Sequence, residues 1–502
     1  GDFQEAREMT RWAFELSEEL RSIVIMRSVT RLSHASGNVT LGRLGTPDGK
    51  ARFKYEAVPG DPDSGPVITM PVPPHHALLQ EKLKKAIAIF EKSPFNTYTG
   101  PEKPELLIIT CSACNLYSRE AVHLLNAQDR VGILKIGTTW PLPPKLVARH
   151  LAMTDRVLFV EEVLPFLEEN VKVIAAETAS EVGIKKFYGK NDGTMPTINE
   201  MNPDIVVDAV KKILGVEYTA MDEGYAKHAK EHLAALAPVR DLTFCPGCPH
   251  RASFWNLHNA LAMDNRRGFV CGDIGCYTLG FLPCGFNTMK TSHSMGSGIG
   301  IASGFGKLTQ FGMDQPILAV CGDSTFFHAA IPALVNAIHN KSDVIFVLLD
   351  NSGTAMTGFQ PHPGTPLDAK GGPLPTIDPA DICRSLGATV EYADPFDTDE
   401  TQKKLLALMQ EKGARVLIMK QMCALSPEKK GKKMFEVRVD QERCRGDTCG
   451  CSRLCTRIFR CPGLVWDSNR QAAVIDEVIC AGCGVCVSIC PSGAIKKTEA
   501  GR

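Results

Sequence analysis

The sequence predicts a multidomain α/β protein, built on parallel sheets and closed by a small cysteine-rich module. Three patterns predict it. Short apolar runs alternate with helical segments from Glu105 onward; Gly and Asp or Asn punctuate the ends of the most apolar runs; and nine cysteines crowd between Cys444 and Cys490.

The 502 residues carry 56 Lys plus Arg and 56 Asp plus Glu, so the whole-chain field offers no attraction to nucleic acid or an anionic membrane. Runs such as Val344 to Leu349 fall far short of the roughly 18 to 20 apolar residues that cross a bilayer, so a soluble protein without a membrane span is expected. The chain opens Gly-Asp-Phe-Gln, with no initiator Met and no signal-like apolar block. It therefore reads as starting partway into a longer protein, without a secretory address. Nineteen cysteines in such a chain point to metal ligation in a reducing compartment, the cytoplasm, rather than to disulfides.

Residues 1–57 begin with a helical pattern (Ala13, Leu16, Leu20), pass into a strand-like Ile23 to Met26, and continue as a Ser-, Gly- and Thr-rich loop, the tail of an α/β unit. Residues 58–104 hold an extended proline-rich linker, Val58 to Pro74, and an amphipathic helix, Leu78 to Phe90. Residues 105–217 form one domain of βαβ units, with strands at Leu106 to Thr110, Val131 to Ile136, Val157 to Val160 and Val171 to Ala175. A polar helical connector, 218–240, leads to a second α/β domain, 241–433, with buried strands at Ile317 to Cys321 and Val344 to Leu349. Residues 434–502 are the cysteine-rich module.

Cys480-x2-Cys483-x2-Cys486-x3-Cys490-Pro491 matches the C-x2-C-x2-C-x3-C-P run of bacterial ferredoxins at every position. Three close thiolates wrap one [4Fe-4S] cube and the fourth, launched by the proline turn, reaches a second. A structural zinc site is the bland alternative. The partner run is irregular: Cys444, Cys449, Cys451, Cys455 and Cys461 compete for four places. Cys455 and Cys461 are expected ligands, with the other three sharing the remainder. If the ferredoxin cross-over holds, Cys490 completes the first run's cluster and Cys461 the second's.

Earlier cysteines divide by context. Cys245-Pro-Gly-Cys248 is a tight C-x2-C on a turn, followed by Cys276, whereas Cys111 and Cys114 share the spacing but follow an apolar strand and read as structural. Cys271, Cys284, Cys321 and Cys383 read as buried small hydrophobes.

Gly322-Asp323-Ser324 follows one apolar strand, and Asp350-Asn351 ends the next. Both then sit at strand C-termini, where an open α/β sheet binds ligands. The Asp323 carboxylate, the Asn351 amide oxygen and the carbonyl of Gly353 supply the hard oxygens that Mg2+ takes beside a diphosphate. This is the pattern of thiamine-diphosphate enzymes; its bland counterpart is a capping Asp and a turn Asn. A Gly-rich segment, His293 to Gly304, opens a helix and could cradle the cofactor through Met295 and Gly296, or serve only close helix packing. As a dinucleotide fingerprint it fails, since no strand is read before it and no acidic residue stands at the expected distance.

A thiamine-diphosphate domain joined to a two-cluster ferredoxin module resembles the 2-oxoacid:ferredoxin oxidoreductases. The residues carrying the resemblance are Phe244 to Arg251, Gly272-Asp-Ile-Gly-Cys276 to Gly280, Gly322 to Ser324, Thr354 to Thr365 and the C-terminal cysteines. Thr138 to Pro143 and Val160-Glu-Glu162 add to it, resembling a transketolase C-terminal-like domain over 105–217. The resemblance implies a third [4Fe-4S] cluster held by Cys245, Cys248, Cys276 and Cys423, and cofactor contacts from Gly272, Asp273, Cys276, Gly322, Ser324, Thr354, Ala355 and Met356. It nominates His293, Gln360 and His362 as polar groups near the reacting carbon. It makes residues 1–57 the tail of a pyrimidine-binding domain; the rest of that domain, with the Glu that activates the cofactor, either precedes this chain or lies on another polypeptide, so no acidic residue here is given that role.

The implied reaction is oxidative decarboxylation of a 2-oxo acid, an aryl pyruvate such as indolepyruvate, to acyl-coenzyme A and CO2. Electrons leave singly through the clusters to ferredoxin. A catalytic β subunit, coenzyme A, a two-fold symmetric hetero-oligomer and an anaerobic host follow from the same resemblance. The alternatives are an oxidoreductase for another 2-oxo acid, a non-redox thiamine enzyme, which would need no ferredoxin module, and an electron-transfer scaffold with a vestigial thiamine motif.

Overall fold

The computed structural model describes residues 1–43, 56–59, 61, 64, 65, 68–237, 241–449 and 452–500. They form two compact units, Gly1–Leu236 and Ala237–Arg502. Most of the Ser-, Gly- and Thr-rich loop after residue 43, parts of the proline-rich stretch, Pro238 and Cys451 lie outside the described residues.

In the first unit α1 (Phe3–Leu20) and α2 (Thr30–His34) precede α3 (Val72–Phe90). Leu16 and Leu20 of α1 bury against Ala86 and Phe90 of α3. The helix α3 begins inside the stretch read as linker, because Pro73 and Pro74 fall in its first turn, where no intrahelical N–H is required. Ile23 to Met26 is not a strand: it has no ladder partner among the described residues, and Ile23 and Ile25 point into solvent.

The rest of this unit is a layered α/β sheet made of β1 (Thr97–Thr99), β2 (Leu106–Thr110), α4 (Cys114–Leu124), β3 (Val131–Lys135), α5 (Pro144–Leu151), β4 (Arg156–Val160), α6 (Phe166–Glu177), α7 (Ala179–Val182), β5 (Lys186–Tyr188) and α8 (Pro203–Leu214). The order is β1-β3-β2-β4-β5, with only β1 antiparallel. Successive side chains of β2 take opposite faces: Leu106 and Ile108 join the core under α4 and α8, Leu107 and Ile109 the one under α5 and α6. The apolar run Val171 to Ala175 is helix, not strand. Leu167, Val171, Ile174 and Ala175 recur at helical spacing and bury one face of α6. The connector forms α9 (Glu223–Leu236).

The second unit opens with α10 (Pro249–Asp264), β6 (Phe269–Gly272), β7 (Met289–Ser292), α11 (Ser297–Gly306), β8 (Ile317–Gly322), α12 (Asp323–Thr325), α13 (Ile331–His339), β9 (Val344–Asp350), α14 (Pro379–Ser385), β10 (Thr389–Ala393), α15 (Thr398–Gln410) and β11 (Ala414–Lys420). Its six-stranded sheet runs β10-β11-β9-β8-β6-β7, parallel throughout. The central strands β8 and β9 are buried along their whole length, as strands covered on both faces must be. The strand β7 directly precedes the Gly-rich segment, correcting the expectation that none would. Its four residues, Met-Lys-Thr-Ser, show too little apolar content to register as a strand.

The cysteine-rich module adds β12 (Phe435–Val439), β13 (Leu464–Asp467), β14 (Ala472–Ile475), α16 (Cys486–Ile489) and β15 (Ile495–Glu499). Two antiparallel pairs, β12 with β15 and β13 with β14, carry the cysteine loops between them. Among the described residues no helix is long and apolar enough to cross a membrane.

Candidate functional site

The strands β8 and β9 are adjacent and in register from Leu318 with Ile345 to Gly322 with Leu349, so their C-terminal ends deliver Asp323 and Asn351 side by side. Asp323 is 3% exposed; its Oδ1 accepts from the Ser324 N–H at 2.9 Å and its Oδ2 from the Gly353 N–H at 3.0 Å. That second bond folds the Asn351–Gly353 turn over the carboxylate. Beyond Asp323 the chain takes one π-helical turn, Phe326–Ala330, a feature common at functional sites.

Asp350 is also buried, and its carboxyl is pushed up by burial first and by the Asp323 charge second, with Lys420 at 3.3 Å working against both. A polar cavity of about 120 Å3 opens between Asp323, Asp350, His362 and Lys420. Two buried carboxylates that repel each other, beside an amide oxygen, suit a hard divalent cation. The residues therefore fit Mg2+. Asp350 was missed as a site residue; its signal was its place beside Asn351 at a strand end.

His362 is buried against Phe327, and its Nε2 comes within 3.2 Å of Asp323 Oδ2 without hydrogen-bond geometry. Its Nδ1 accepts from the Gly364 N–H at 3.1 Å, which leaves the proton on Nε2, turned toward Asp323. His250 lies on the other side. It is fully buried, its imidazole is pushed down to about 4 mainly by burial, and its Nε2 is 3.3 Å from Asn351 Nδ2. The structure does not bring the three polar candidates together. Gln360 is exposed and bonds its own loop at Thr357, and His293 is exposed at the end of β7.

The Gly-rich helix α11 is positioned by a buried carboxylate. Asp273 Oδ2 accepts from the Gly296 N–H at 2.9 Å, while Asp273 Oδ1 accepts from the Tyr277 hydroxyl. Gly296 has φ +84°, and a Cβ there would meet Ala329 Cβ at 2.7 Å, so only glycine fits. Close packing thus accounts for Gly296, and Met295 beside it is exposed. Thr354 pairs with Gln360 across the loop that carries Ala355 and the exposed Met356.

Burial pushes the Asp273 carboxyl from 3.8 up to about 6, against the Tyr277 and Gly296 hydrogen bonds. The native state therefore binds more protons than the unfolded chain between those values, and Asp273 should lower stability as pH rises through that window. Two units correspond to about 3 kcal/mol. Urea unfolding should show the free-energy gap between wild type and Asp273→Asn shifting by about that amount from pH 4 to pH 7; a gap independent of pH would refute the burial argument.

The cysteines fall into three electrostatically coupled groups. In the first, the Cys276 thiol is pushed up to about 11, by burial and then by Cys423 and Cys245. Cys248 joins through its turn, donating its N–H to Cys245 O at 3.2 Å. In the second, Cys483 is pushed up to about 11, by burial and then by Cys461 and Cys480, and Cys486 feels the same three thiols. In the third, Cys455 is raised by burial and then by Cys490, Cys449 and Cys444.

Among the described residues no three His, Cys, Asp or Glu side chains stand close enough to share one ion. A [4Fe-4S] cube, by contrast, takes one thiolate on each of four irons. Backbone amides aim at sulfur in the second and third groups: Gly482 N–H at Cys480 Sγ, 3.4 Å, Arg453 N–H at Cys449 Sγ, 3.1 Å, and Ala494 N–H at Cys490 Sγ, 3.3 Å. Such N–H groups favour thiolate sulfur and fit cluster ligation. Cys271, Cys284, Cys321 and Cys383 are buried in the core.

Residues 273–419 match the thiamine pyrophosphate enzyme C-terminal binding domain, and residues 473–496 match the 4Fe-4S binding domain. The chain is 36% identical to "Indolepyruvate oxidoreductase subunit IorA" of Pyrococcus horikoshii, over 99% of this chain and 77% of that protein. The protein of the same name from Methanothermobacter marburgensis is also 36% identical, over 98% of this chain and 75% of that one. The solved structure of 2-oxoglutarate:ferredoxin oxidoreductase from Magnetococcus marinus aligns over 37% of this chain and 66% of that one, at 20% identity and a TM-score of 0.32, too weakly to bear on the site.

Proposed function

Because the chain belongs to the family of indolepyruvate oxidoreductase IorA subunits, a thiamine-diphosphate-dependent group of ferredoxin oxidoreductases, we propose that it oxidatively decarboxylates an aryl pyruvate such as indolepyruvate. The products are acyl-coenzyme A and CO2, with ferredoxin as electron acceptor. A partner subunit completes the enzyme, in a two-fold symmetric assembly in the cytoplasm of an anaerobe, where oxygen-labile clusters survive.

Asp323, Asn351 and the Gly353 carbonyl would hold Mg2+; Gly322, Ser324, Thr354, Ala355 and Met356 would line the diphosphate side, and Gly272, Asp273, Met295 and Gly296 the other. Bound there, thiamine diphosphate would supply the electron sink for decarboxylation and the clusters one-electron acceptors. His362 lies beside Asp323, its Nε2 edge 3.2 Å from the carboxylate. His250, kept neutral by burial, faces the Asn351 amide.

Three cluster sites follow from the thiol groups: Cys245, Cys248, Cys276 and Cys423; Cys461, Cys480, Cys483 and Cys486; Cys444, Cys449, Cys455 and Cys490. Cys451 lies outside the described residues and stands beside Cys444 and Cys449 as a candidate for the places that Cys455 and Cys490 leave in the last set. The loop of Cys245 and Cys248 abuts the second set, since a Cβ on Gly247 would meet Ala481 Cβ at 2.7 Å. Clusters held by the first and second sets would then be neighbours, and would supply one-electron acceptors in series.

The observation that carries this reading is one hydrogen bond: the Cys423 N–H donates to Asn351 O at 3.0 Å. It sets a proposed cluster ligand directly beside a proposed metal ligand, so electrons released at the cofactor would have a short path to a cluster.

The test is an anaerobic assay of viologen reduction by indolepyruvate, phenylpyruvate, pyruvate and 2-oxoglutarate, each with and without coenzyme A, using the chain with its partner. Coenzyme-A-dependent reduction with the aryl substrates is expected. No reduction by any 2-oxo acid, in a sample holding its clusters and thiamine diphosphate, would sink the proposal.

A further inference from the structure

The residue that follows the Cys245-Pro-Gly-Cys248-Pro-His sequence is an arginine, in the first turn of α10, and the fold buries it. Arg251 is 2% exposed and is among the largest fully buried side chains. Its Nη1 donates to Phe459 O and to Arg460 O, each at 3.0 Å. Its Nη2 donates to Thr243 Oγ1 at 3.2 Å and to Phe244 O. The Phe244 and Phe459 rings lie 5.6 and 5.8 Å from the guanidinium carbon.

Two facts set this arginine apart from a packing residue. Its acceptors lie on two separate loops: Thr243 and Phe244 precede Cys245, whereas Phe459 and Arg460 precede Cys461. The side chain thus spans from one cysteine set to the next. Its acceptors are also all carbonyls or a hydroxyl, none a carboxylate, and its buried Nε has no partner at all.

A guanidinium out of water with no counter-charge is strongly disfavoured, so negative charge is needed close by. The cysteine sets on either side supply it once their thiols are ionised on iron. The two regions also touch elsewhere: Gly247 lies against Ala481 of the Cys480 stretch, and the Trp255 ring of α10 meets the Phe459 ring edge on, 5.7 Å apart.

We propose that Arg251 is a positioning residue shared by two clusters: it bolts the Cys245–Cys248 loop to the Cys461 loop, fixing the separation electrons cross, and it is the buried counter-ion of both. As counter-ion it favours the more negative, reduced state of each cluster and so raises their potentials. The inference rests on the reading that both cysteine sets hold [4Fe-4S] clusters.

The test uses the complete enzyme, purified without oxygen, as wild type, Arg251→Lys and Arg251→Met. Iron content is measured first, then the midpoint potentials and the magnetic coupling between reduced clusters by electron paramagnetic resonance, and last ferredoxin reduction. Lysine keeps the charge but cannot fork to both loops; methionine loses both.

Arg251→Met with full iron should show lowered potentials, weakened coupling and ferredoxin reduction more than twofold slower than wild type. Arg251→Lys should keep the potentials while losing coupling and rate in part. Unshifted potentials and coupling, with ferredoxin reduction within twofold of wild type, would overturn the proposal. Should the methionine variant lose iron, the lysine variant decides: weakened coupling at full iron supports the bolt, and wild-type coupling and rate overturn it. Wild-type enzyme without iron in either set would instead refute the cluster assignment beneath it.

Discussion

Asp323→Asn should cost at least about a hundredfold in affinity for thiamine diphosphate with Mg2+, and substrate-driven reduction of the clusters should be lost with it, while iron content stays unchanged. The substitution is nearly isosteric, so the turn that Asp323 holds through the Gly353 N–H can survive by rotating the amide oxygen onto that donor. What disappears is the one carboxylate at the end of β8 that a cation can use. The sign of the stability change separates this from damage to the fold. Asp350 is raised partly by the Asp323 charge, so removing that charge relieves a buried repulsion, and the cofactor-free protein should unfold no more easily than wild type. Titration of each protein with thiamine diphosphate and Mg2+, read by calorimetry, gives the affinity directly. An affinity within threefold of wild type would remove Asp323 from the metal site.

Cys461→Ala and Cys490→Ala should each remove about four iron atoms per chain, from opposite sites. Cys461 ends the first cysteine run along the chain, yet its electrostatic neighbours are Cys480, Cys483 and Cys486. Cys490 ends the second run, yet it couples with Cys455 of the first, and there Ser492 and the backbone N–H groups of Ile495 and Ala494 outweigh burial and draw its thiol below its ordinary range. In Cys461→Ala the thiols of Cys480, Cys483 and Cys486 should become open to alkylation while Cys444, Cys449, Cys455 and Cys490 stay protected. Cys490→Ala should show the reverse. Mass spectrometry of the alkylated peptides distinguishes this from an uncrossed arrangement, in which each run would guard its own cluster and the two patterns would be exchanged.

Legibility in the sequence followed how local each signal is. The strands β2, β3, β4, β8 and β9 were readable because a strand covered on both faces must be continuously apolar. The same rule misled at Val171 to Ala175, where a short apolar run fits a buried strand and a helix face equally well; only the packing of Leu167 and Val171 under the sheet decides between them. It misled at Ile23 to Met26 because strand propensity needs a neighbouring ladder. β7 is the converse, a polar edge strand made by its pairing with β6.

The candidate site divides the same way. Asp323, Asn351 and the two cysteine runs stood out because turn chemistry and ligand spacing are written along the chain. Asp350, His250 and Arg251 did not, since each matters through a partner far away in sequence: Lys420 and Asp323, Asn351, and the carbonyls of Phe459 and Arg460.

By itself, then, the sequence determined the parallel α/β class, the ferredoxin-like cysteine spacing and the Asp and Asn at two strand ends, because periodicity and ligand spacing are short-range properties. Tertiary structure alone decided how His250 and His362 sit against Asn351 and Asp323, how Asp350 meets Lys420, and where a buried guanidinium finds its acceptors. Those outcomes depend on closing loops of tens to hundreds of residues, and on the low dielectric that burial creates only once the chain has folded.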